Sequence, residues 1–348
     1  MAAPTPDAEM PAVQEASGQR HVTLKDVARL AGVSPITVSR ALTRPELVSQ
    51  RARDKVRQAV EQTGYVPNSL AGGLTSKRTR LVAAIVPSVA HSLFSEMVQS
   101  LIDTLAAHEY HTMLGLSRYG AAAEEELVAA ILSRRPDGIA LTGIDHTPRA
   151  KKLLLAAAIP VVEMWDFSVN PLDMAVGFRH EELGAAAFRH LHDRGYRRPA
   201  ILRADDIRAG RRAEGFLKAA AAAGLAPPTE VVFSETLPQA QRGREGLKRL
   251  LQRDPQADAV FCSSDALAQG VLAHAHEIGR PVPGSLGVLG FGNQALGADT
   301  VPALSSIGVD SRRLGELAAL SLVQRMQGEE PAHAIQDLGF ELVQRGST

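Results

Sequence analysis

The sequence predicts an α/β protein made of a small all-helical head and a larger body built from two doubly wound parallel sheets. Short helical patterns fill residues 20–68, whereas apolar strand patterns alternate with helical ones after Thr79. Such alternation is typical of parallel sheets whose two faces are covered by helices. Basic residues are concentrated near the start, because residues 20–80 hold 12 Lys and Arg against 4 Asp and Glu. The head therefore differs from the body in charge as well as in secondary structure.

The first 19 residues read as a disordered tail. They carry three acidic residues, no Lys or Arg, and no continuous apolar block, whereas a secretory signal needs a positive start and an apolar middle. No run approaches the roughly 18 apolar residues of a membrane span. The single cysteine, Cys262, excludes an internal disulfide framework and suits a reducing compartment. We expect a cytoplasmic protein without membrane contact.

The head reads as three short helices. Thr23 is a candidate N-cap of the first, and Gly32 makes a tight break after it. Ser34 then caps a second helix, and a third runs from about Ser49 to Thr63. Two short helices joined by a glycine-containing turn form the helix-turn-helix pattern, whose second helix enters the major groove of DNA. An ordinary three-helix bundle is the alternative. The net charge of +8 in residues 20–80, against −5 after Arg80, favours contact with a polyanion.

The body reads as strands and helices in alternation. Strands are predicted at LVAAIVPSV, HTMLGLSR, PDGIALTG, IPVVEMW, RPAILRA, EVVFSE, DAVFCSS and SLGVLGFG, with helical segments between them. Open parallel sheets bind ligands outside the carboxyl ends of their strands. Polar residues that stand at or near such ends are Trp165, Asp166, Arg212, Asp265 and Asn293. An arginine together with carboxylate and amide groups suits a polyhydroxylated ligand or a carboxylate, which arginine grips through two hydrogen bonds.

Two stretches carry a resemblance to a known family. VTLKDVARLAGVSPITVSRAL and VSQRARDKVRQAVEQTGYVPNSLAGGLTSKRT resemble the lactose-repressor (LacI) family of bacterial regulators, and the likeness extends from Val22 to Gln344. It implies a DNA-binding domain at 20–68, a hinge helix and linker at 69–80, and a periplasmic-binding-protein-like body at 81–348. The body would divide into an N-subdomain of about 81–168 with 307–330 and a C-subdomain of about 169–306 with 331–348. It would bind an effector and dimerise.

The resemblance assigns roles to residues of the head. It places Pro35, Ile36 and Arg40 at the base-reading positions of the second helix, and Arg40 is the one strong hydrogen-bonding reader among them. It gives mainly phosphate contacts to Thr23, Ser34, Thr37 and Ser39. Leu74 matches the hinge leucine that wedges into the minor groove, where an apolar side chain kinks DNA. The glycines at 72 and 73 disfavour a helix, so we expect the hinge to fold only on DNA.

The resemblance also assigns roles in the body. Arg212 matches the effector-binding arginine of an R-x-x-G-F motif, and Asp265 the aspartate of S-D-x-x-A-x-G. Asn293 and Asp166, beside Trp165, fall near other family contacts. For each residue the alternative is a helix cap or a strand-end hydrogen bond. The segment from Glu163 to Phe178, together with GFGNQ, is similar to the gluconate-repressor branch, which implies a sugar-acid effector.

The function implied is that of a homodimeric regulator, a repressor of sugar or sugar-acid catabolism genes, that binds palindromic double-stranded operator DNA and leaves it when a small-molecule effector binds. A transport-type binding protein is one alternative, although it would need a signal peptide and no basic head. A dinucleotide-dependent dehydrogenase is the other, because GFGNQA fits G-x-G-x-x-A; no long amphipathic helix follows it, however. His190 and His192 point to different helix faces, as do His274 and His276. We therefore expect no metal, no cofactor and no catalytic residues.

Overall fold

The computed structural model describes residues 22–66, 78–90, 92–233 and 239–348, apart from the side chains of residues 92, 93 and 239. The predicted tail and most of the predicted hinge, with Leu74, lie outside these residues. The chain separates into two compact units, one before Arg80 and one from Arg80 to Thr348. Among the described helices, none is long and apolar enough to cross a membrane.

The head has three helices, as the sequence predicts. They are α1 (Leu24–Ala31), α2 (Pro35–Thr43) and α3 (Gln50–Thr63), with a single 3-10 turn at Pro45–Leu47. Gly32 and Gly64 end α1 and α3 with a φ of +63° each, a left-handed conformation that suits glycine. The small core that joins the helices contains Val27, Ala28, Ala31, Val38, Val56 and Ala59.

The first lobe of the body is built on one six-stranded sheet. Its strand order is β11-β5-β4-β3-β1-β2, and every pairing in it is parallel. The strands are β1 (Leu81–Val86), β2 (His111–Leu116), β3 (Gly138–Thr142), β4 (Val161–Met164), β5 (Met174–Gly177) and β11 (Ile335–Asp337). The helices of this lobe are α4 (Ser92–Ala107), α5 (Ala121–Leu132), α6 (Pro148–Ala157) and α12 (Ser311–Gln327).

The second lobe repeats this plan. Its sheet has the order β12-β10-β9-β8-β6-β7, and only the pairing of β12 with β10 is antiparallel. The strands are β6 (Pro199–Ala204), β7 (Glu230–Phe233), β8 (Ala259–Cys262), β9 (Gly287–Phe291), β10 (Ser305–Gly308) and β12 (Glu341–Val343). The helices are α7 (His180–Asp193), α8 (Ile207–Ala222), α9 (Gln239–Arg253), α10 (Asp265–Glu277) and the short α11 (Ala295–Ala298). The two-lobed α/β architecture confirms the predicted fold class.

The chain crosses between the lobes three times, and two crossings lie later than the predicted bounds at 168 and 331. Strand β5 is buried and pairs with β4, so the first lobe continues through Gly177. Strand β11 pairs with β5, so the last crossing follows Asp337. The return crossing follows β10, which ends at Gly308, close to the predicted 307. The segments β5 and β11 are only four and three residues long and carry too little pattern to predict strands, which explains both differences.

Helices α7 and α8 pack unusually close together. An ideal Cβ on Gly184 would lie 1.8 Å from the carbonyl oxygen of Arg212, and one on Gly215 would lie 1.9 Å from that of Glu181. Any larger side chain at these positions would push the helices apart, because the obstacle is backbone. This contact fixes the first turn of α7 beside the arginines of α8.

Candidate functional site

One face of α2 is exposed and carries the predicted base-reading residues. The opposite face packs into the head core through Val38, which is fully buried. Pro35, Ile36, Ser39 and Arg40 are exposed, and Ile36 keeps 64% of its surface accessible. An exposed apolar side chain beside an arginine on a helix suits contact with base edges, where thymine offers a methyl group and guanine offers two acceptors.

Some hydroxyl groups of the head form hydrogen bonds that begin its helices. Ser34 Oγ accepts a hydrogen bond from the Thr37 backbone N–H at 3.1 Å and lies 2.9 Å from Thr37 Oγ1. Pro35 occupies the first position of the helix, where a missing N–H costs nothing. The Thr23 hydroxyl donates to Asp26 at 2.6 Å and helps begin α1. Ser34 and Thr23 therefore stabilise the helix starts whether or not they also contact phosphate.

The exposed positive charge of the head has few partners within it. Among residues 22–66, the structure records only the ion pairs of Arg29 with Asp26 and of Arg57 with Asp54. Both are short-range exposed pairs of the kind that contributes little. Arg40 forms no ion pair in this part of the chain. The remaining cations stay available to a polyanion.

The body has a cleft of about 320 Å³ where the two lobes face each other. Its walls come from the loops after β1, β2 and β3 in the first lobe and from the loop between β6 and α8 in the second. It thus lies at the carboxyl ends of parallel strands, where open α/β sheets place ligands. The lining residues are Pro87, Ser117, Tyr119, Gly120, Ala121, Glu124, Thr142, Gly143, Asp145, Asp205, Asp206, Ile207 and Arg208.

The first two turns of α8 carry three arginines, of which Arg208 and Arg211 reach the first lobe and Arg212 contacts residues of its own lobe. Asp206 begins the helix by accepting the Ala209 backbone N–H at 2.9 Å. Arg208, Arg211 and Arg212 follow at spacings of three and four residues, which places them on one helix face. Each of them reaches a different set of partners.

Arg211 joins the lobes through ion pairs. Its Nη2 donates to both carboxylate oxygens of Asp145 at 2.8 Å, and its Nη1 pairs with Asp166. Asp166 is 3% exposed, and burial raises the pKa of its carboxyl even though Arg211 pulls it down. The charge of Arg211 is therefore already balanced by two carboxylates of the first lobe.

Arg208 meets the first lobe without a carboxylate partner. Its Nη1 donates to the Thr142 carbonyl oxygen at 3.4 Å, and its guanidinium carbon lies 5.7 Å from the ring centre of Phe94 and 5.9 Å from that of Tyr119. Among the described residues it forms no ion pair. Its direct partners among the described residues are a carbonyl oxygen and two aromatic rings, and Asp166 acts on its charge without direct contact.

Arg212 lies one turn further along and is 5% exposed. Its Nη1 is 3.0 Å from His180 Nδ1, its Nη2 donates to the Ser263 carbonyl oxygen at 3.4 Å, and its guanidinium carbon stands 4.3 Å from the ring centre of Phe291. Its Nε has no hydrogen-bond partner among the described residues. Burial lowers the pKa of Arg212 to about 10, against the opposing pull of Asp206. A buried, charged donor without a partner is costly, so this atom favours an incoming acceptor.

Trp165 lies near this cluster but turns its ring into the core. The ring centre is 4.9 Å from that of Phe94 and 5.4 Å from that of Phe178, and the side chain is 3% exposed. Its φ is +69°, and its carbonyl oxygen lies 3.0 Å from His180 Nε2. Trp165 thus supports the cleft from behind rather than offering its ring to solvent.

Asp265 and Asn293 belong to separate hydrogen bonds that lie within the second lobe. Asp265 is fully buried and accepts the Ser306 hydroxyl and the Gln294 backbone N–H, each at 2.6 Å. Asn293 Oδ1 accepts from Arg345 at 2.7 Å. Both oxygens of Asp265 hold groups of their own lobe. The structure therefore pairs Asp166 with Arg211, the neighbour of Arg212, and brings Asp265 to neither guanidinium.

A buried histidine stands behind the cleft wall. His146 Nδ1 lies 2.6 Å from Glu124 Oε1, and its Nε2 lies 3.2 Å from Glu163 Oε1. Burial alone would lower the pKa of His146, but the two glutamates outweigh it and raise that pKa to about 9. The imidazolium therefore holds Glu124, which lines the cleft, in place.

Several residues of the cleft carried no assignment from the sequence. Arg208 and Arg211 share a helix face with Arg212, so their spacing was a signal that could have found them. His180 and Asp145 reach the arginines only through tertiary packing, across 32 and 66 residues respectively. No local pattern marks such partners.

Comparison with known proteins finds relatives for both the head and the body. Residues 23–68 match the family model of bacterial regulatory proteins of the lacI family, and residues 188–348 match that of the periplasmic binding protein-like domain. The chain is 39% identical to the HTH-type transcriptional regulator GntR of Pseudomonas aeruginosa, over 94% of this chain and 95% of that protein.

Solved structures extend the likeness to the whole described fold. A LacI-family transcriptional regulator from Silicibacter pomeroyi superposes with a TM-score of 0.88 at 32% identity, covering 94% of this chain and 99% of that one. The lac repressor dimer bound to operator and the anti-inducer ONPF gives 0.79 at 26% identity, covering 94% and 99%. These matches support neither the transport protein nor the dehydrogenase. The chain belongs to the LacI family and is a DNA-binding transcriptional regulator, not an enzyme.

Proposed function

We propose that this regulator represses genes of sugar-acid catabolism and that its effector is a sugar acid of the gluconate type, bound in the cleft between the lobes. The observation that carries the proposal is the pair Arg208 and Arg212. Neither guanidinium forms an ion pair among the described residues, and Arg212 Nε lacks any partner there. A ligand carboxylate would neutralise them and accept their free donors.

The rest of the cleft suits the other end of such a molecule. Glu124, Asp145 and Asp205 line it and offer carboxylate oxygens, which accept hydrogen bonds from hydroxyl groups. Carboxylates from both lobes therefore stand around the guanidinium of Arg208, which fits a chain of hydroxyls that ends in a carboxylate. The volume of about 320 Å³ lies at the small end of ordinary ligand pockets, roughly 300–1,000 Å³.

The other predicted effector residues differ in how directly they would contact the ligand. Asp166 stands beside the arginines and is the best placed of them to share a ligand hydroxyl with Arg211. Trp165 shapes the cleft through its backbone. Asp265 and Asn293 act on the loop before α11, since their polar atoms are bonded within the second lobe.

For the head, we propose that Arg40 reads a guanine and that Pro35 and Ile36 contact neighbouring base edges. The residues that would contact phosphates are Thr23, Ser34, Thr37 and Ser39. Leu74 would wedge into the minor groove. A homodimer in the cytoplasm would present two heads to the halves of a palindromic operator, as the lac repressor dimer is seen on its operator. The effector would bind one lobe arrangement better than another, which is what a ligand-driven switch requires.

The test compares D-gluconate with D-glucose, which has the same carbon skeleton without the carboxylate. Calorimetric titration should show gluconate binding far more tightly, and gluconate but not glucose should release the protein from its operator. Arg208→Met and Arg212→Met should each weaken gluconate binding at least tenfold, because a hydrogen bond to a charged group contributes about 1.5–3 kcal/mol. Arg134→Met removes an exposed arginine elsewhere and should change nothing. Equal binding of the two sugars, or unchanged binding by both cleft variants, would contradict the proposal.

A further inference from the structure

His180 lies where the chain first crosses between the lobes, at the start of α7. The side chain is 2% exposed. Its Nε2 is 3.0 Å from the Trp165 carbonyl oxygen of the first lobe, and its Nδ1 is 3.0 Å from Arg212 Nη1 of the second. One imidazole therefore joins a backbone carbonyl of one lobe to the buried arginine of the other.

The chemistry of these two neighbours fixes the tautomer. An arginine only donates hydrogen bonds, so Nδ1 must accept, and the proton must sit on Nε2, from which it is donated to the carbonyl oxygen. The charged groups that act on the imidazole are Arg212, Arg208 and Arg211, all cationic. Burial and these guanidiniums hold the pKa of His180 well below its ordinary value. His180 is thus a neutral, oriented acceptor.

The surrounding residues hold the imidazole of His180 in this orientation. The Phe178 ring centre lies 4.5 Å from the imidazole, and the close contact of α7 with α8 at Gly184 sets the distance between His180 and Arg212. Trp165 presents its carbonyl from a left-handed conformation, which is uncommon for a bulky residue and persists only where the surroundings hold it. With Nη1 bonded to His180 and Nη2 to the Ser263 carbonyl, Nε is the guanidinium nitrogen that has no partner among the described residues.

We propose that His180 is a positioning residue that orients Arg212 for the effector and couples it to the first lobe. The Nδ1 contact sets the direction of the guanidinium, and the Nε2 contact makes that direction depend on the position of Trp165. A rotation of one lobe against the other at this crossing moves the carbonyl relative to Arg212. Binding at Arg212 and the lobe angle then influence each other. This rests on the proposed function, in which Arg212 binds the effector carboxylate.

Two conservative variants of the full-length protein separate the two contacts. In His180→Asn, the amide oxygen takes the place of Nδ1, so Arg212 keeps its acceptor but the link to Trp165 is lost. In His180→Gln, the amide nitrogen takes the place of Nε2, so Trp165 keeps its donor but Arg212 loses its acceptor. His276→Gln replaces an exposed histidine and is the matched control. Unfolding followed by Trp165 fluorescence shows which variants are folded.

The readouts are gluconate affinity by calorimetry and the change in operator affinity at saturating gluconate. We expect His180→Gln to weaken gluconate binding about tenfold, the loss of roughly one hydrogen bond to a charged group. We expect His180→Asn to keep most of that affinity while losing most of the gluconate-driven release from operator. If both variants lose binding and release in equal proportion, or if neither changes, the coupling role is wrong.

A measurement without ligand keeps this inference apart from the proposed function. Nitrogen-15 NMR of the full-length protein should show a histidine that stays neutral with its proton on Nε2 down to pH 5, and whose signal disappears in His180→Gln. An imidazole at position 180 that protonates near its ordinary pKa would overturn the positioning role. If the NMR result holds but wild-type protein binds no sugar acid, the effector class is wrong while the link between His180 and Arg212 stands.

Discussion

The exposed face of α2 and the cleft of the body hold their candidate binding residues in opposite ways. On α2, Ile36 and Arg40 are exposed, and Arg40 forms no ion pair within residues 22–66. In the body, Arg212 is 5% exposed and is oriented by His180 and the Ser263 carbonyl oxygen, and Arg211 beside it pairs with Asp145 and Asp166 of the other lobe. DNA is a rigid polyanion that the protein contacts from outside. Solvated side chains suit that contact, because binding releases water and counterions as the side chains reach phosphates and base edges. A small ligand has to be surrounded by polar groups that are already oriented.

This difference predicts two kinds of mutational effect. A substitution on the exposed face of α2 should change DNA affinity and leave unfolding almost unchanged, because surface side chains contribute little to stability. A substitution among the buried polar residues of the body should change stability together with ligand response, since it leaves other buried groups without partners.

Asp265→Ala should destabilise the body by about 3 kcal/mol, because it leaves the buried Ser306 hydroxyl and the partly buried Gln294 N–H without an acceptor. Urea unfolding followed by Trp165 fluorescence measures this, since Trp165 is the only tryptophan of the chain and lies in the body. Arg212→Met is the comparison and should lose effector response with a smaller loss of stability. An Asp265→Ala protein as stable as wild type but insensitive to effector would make Asp265 a ligand contact, as the family motif implies.

His146 should make the stability of the body depend on pH. Its folded pKa of about 9 lies above the ordinary 6.5, so its contribution is fully present below about pH 6.5 and is lost as pH rises through 9. That contribution amounts to a few kcal/mol at about 1.4 kcal/mol per pKa unit. His146→Gln should therefore unfold at lower urea than wild type at pH 6, and the gap should narrow by pH 9.5. A gap that stays constant over this range would mean that His146 is neutral.

The sequence predicted the two regions unequally, for a physical reason. The exposed face of α2 follows from about twenty contiguous residues, because a helix places neighbours in sequence on a shared surface. The long apolar strands β1 and β9 were equally visible. The short β5 and β10 were missed, since four residues such as Ser305–Gly308 carry too little apolar pattern to be recognised without their partners.

The cleft shows where local reasoning ends. The motif around Arg212 located one arginine, and helical spacing was enough to add Arg208 and Arg211. That Arg211 is balanced by Asp145 and Asp166 while Arg208 is not depends on packing between lobes. Asp265 stands at a strand end, as ligand contacts do, yet its oxygens are taken up by its own lobe. Only the tertiary structure distinguishes a polar residue that awaits a ligand from one already satisfied.

Arg40→Ala should weaken operator binding by about 1–3 kcal/mol and relax discrimination at one base pair in each half-site. Unfolding of the head should be unchanged. Binding to a set of single-base operator variants measures the discrimination. Arg57→Ala is the control, because Arg57 is exposed on α3 and paired with Asp54. Full discrimination at every position in the Arg40→Ala protein would remove Arg40 from the readers.

The smallest effect should come from the cap of α2. Ser34→Ala removes the acceptor for the Thr37 N–H and should cost about 1 kcal/mol of helix stability, whereas Ser34→Gly should cost only a few tenths. Hydrogen exchange of the α2 amides measures this directly. Ser49 caps α3 in the same way, accepting from the Ala52 N–H at 3.4 Å, so Ser49→Ala is a matched control with a similar stability loss. Operator affinity should fall in Ser34→Ala, both because α2 carries the base-reading residues and because the proposed phosphate contact of Ser34 is lost, and it should hold in Ser49→Ala. Equal losses of affinity would mean that general head stability, and not the start of α2, determines binding.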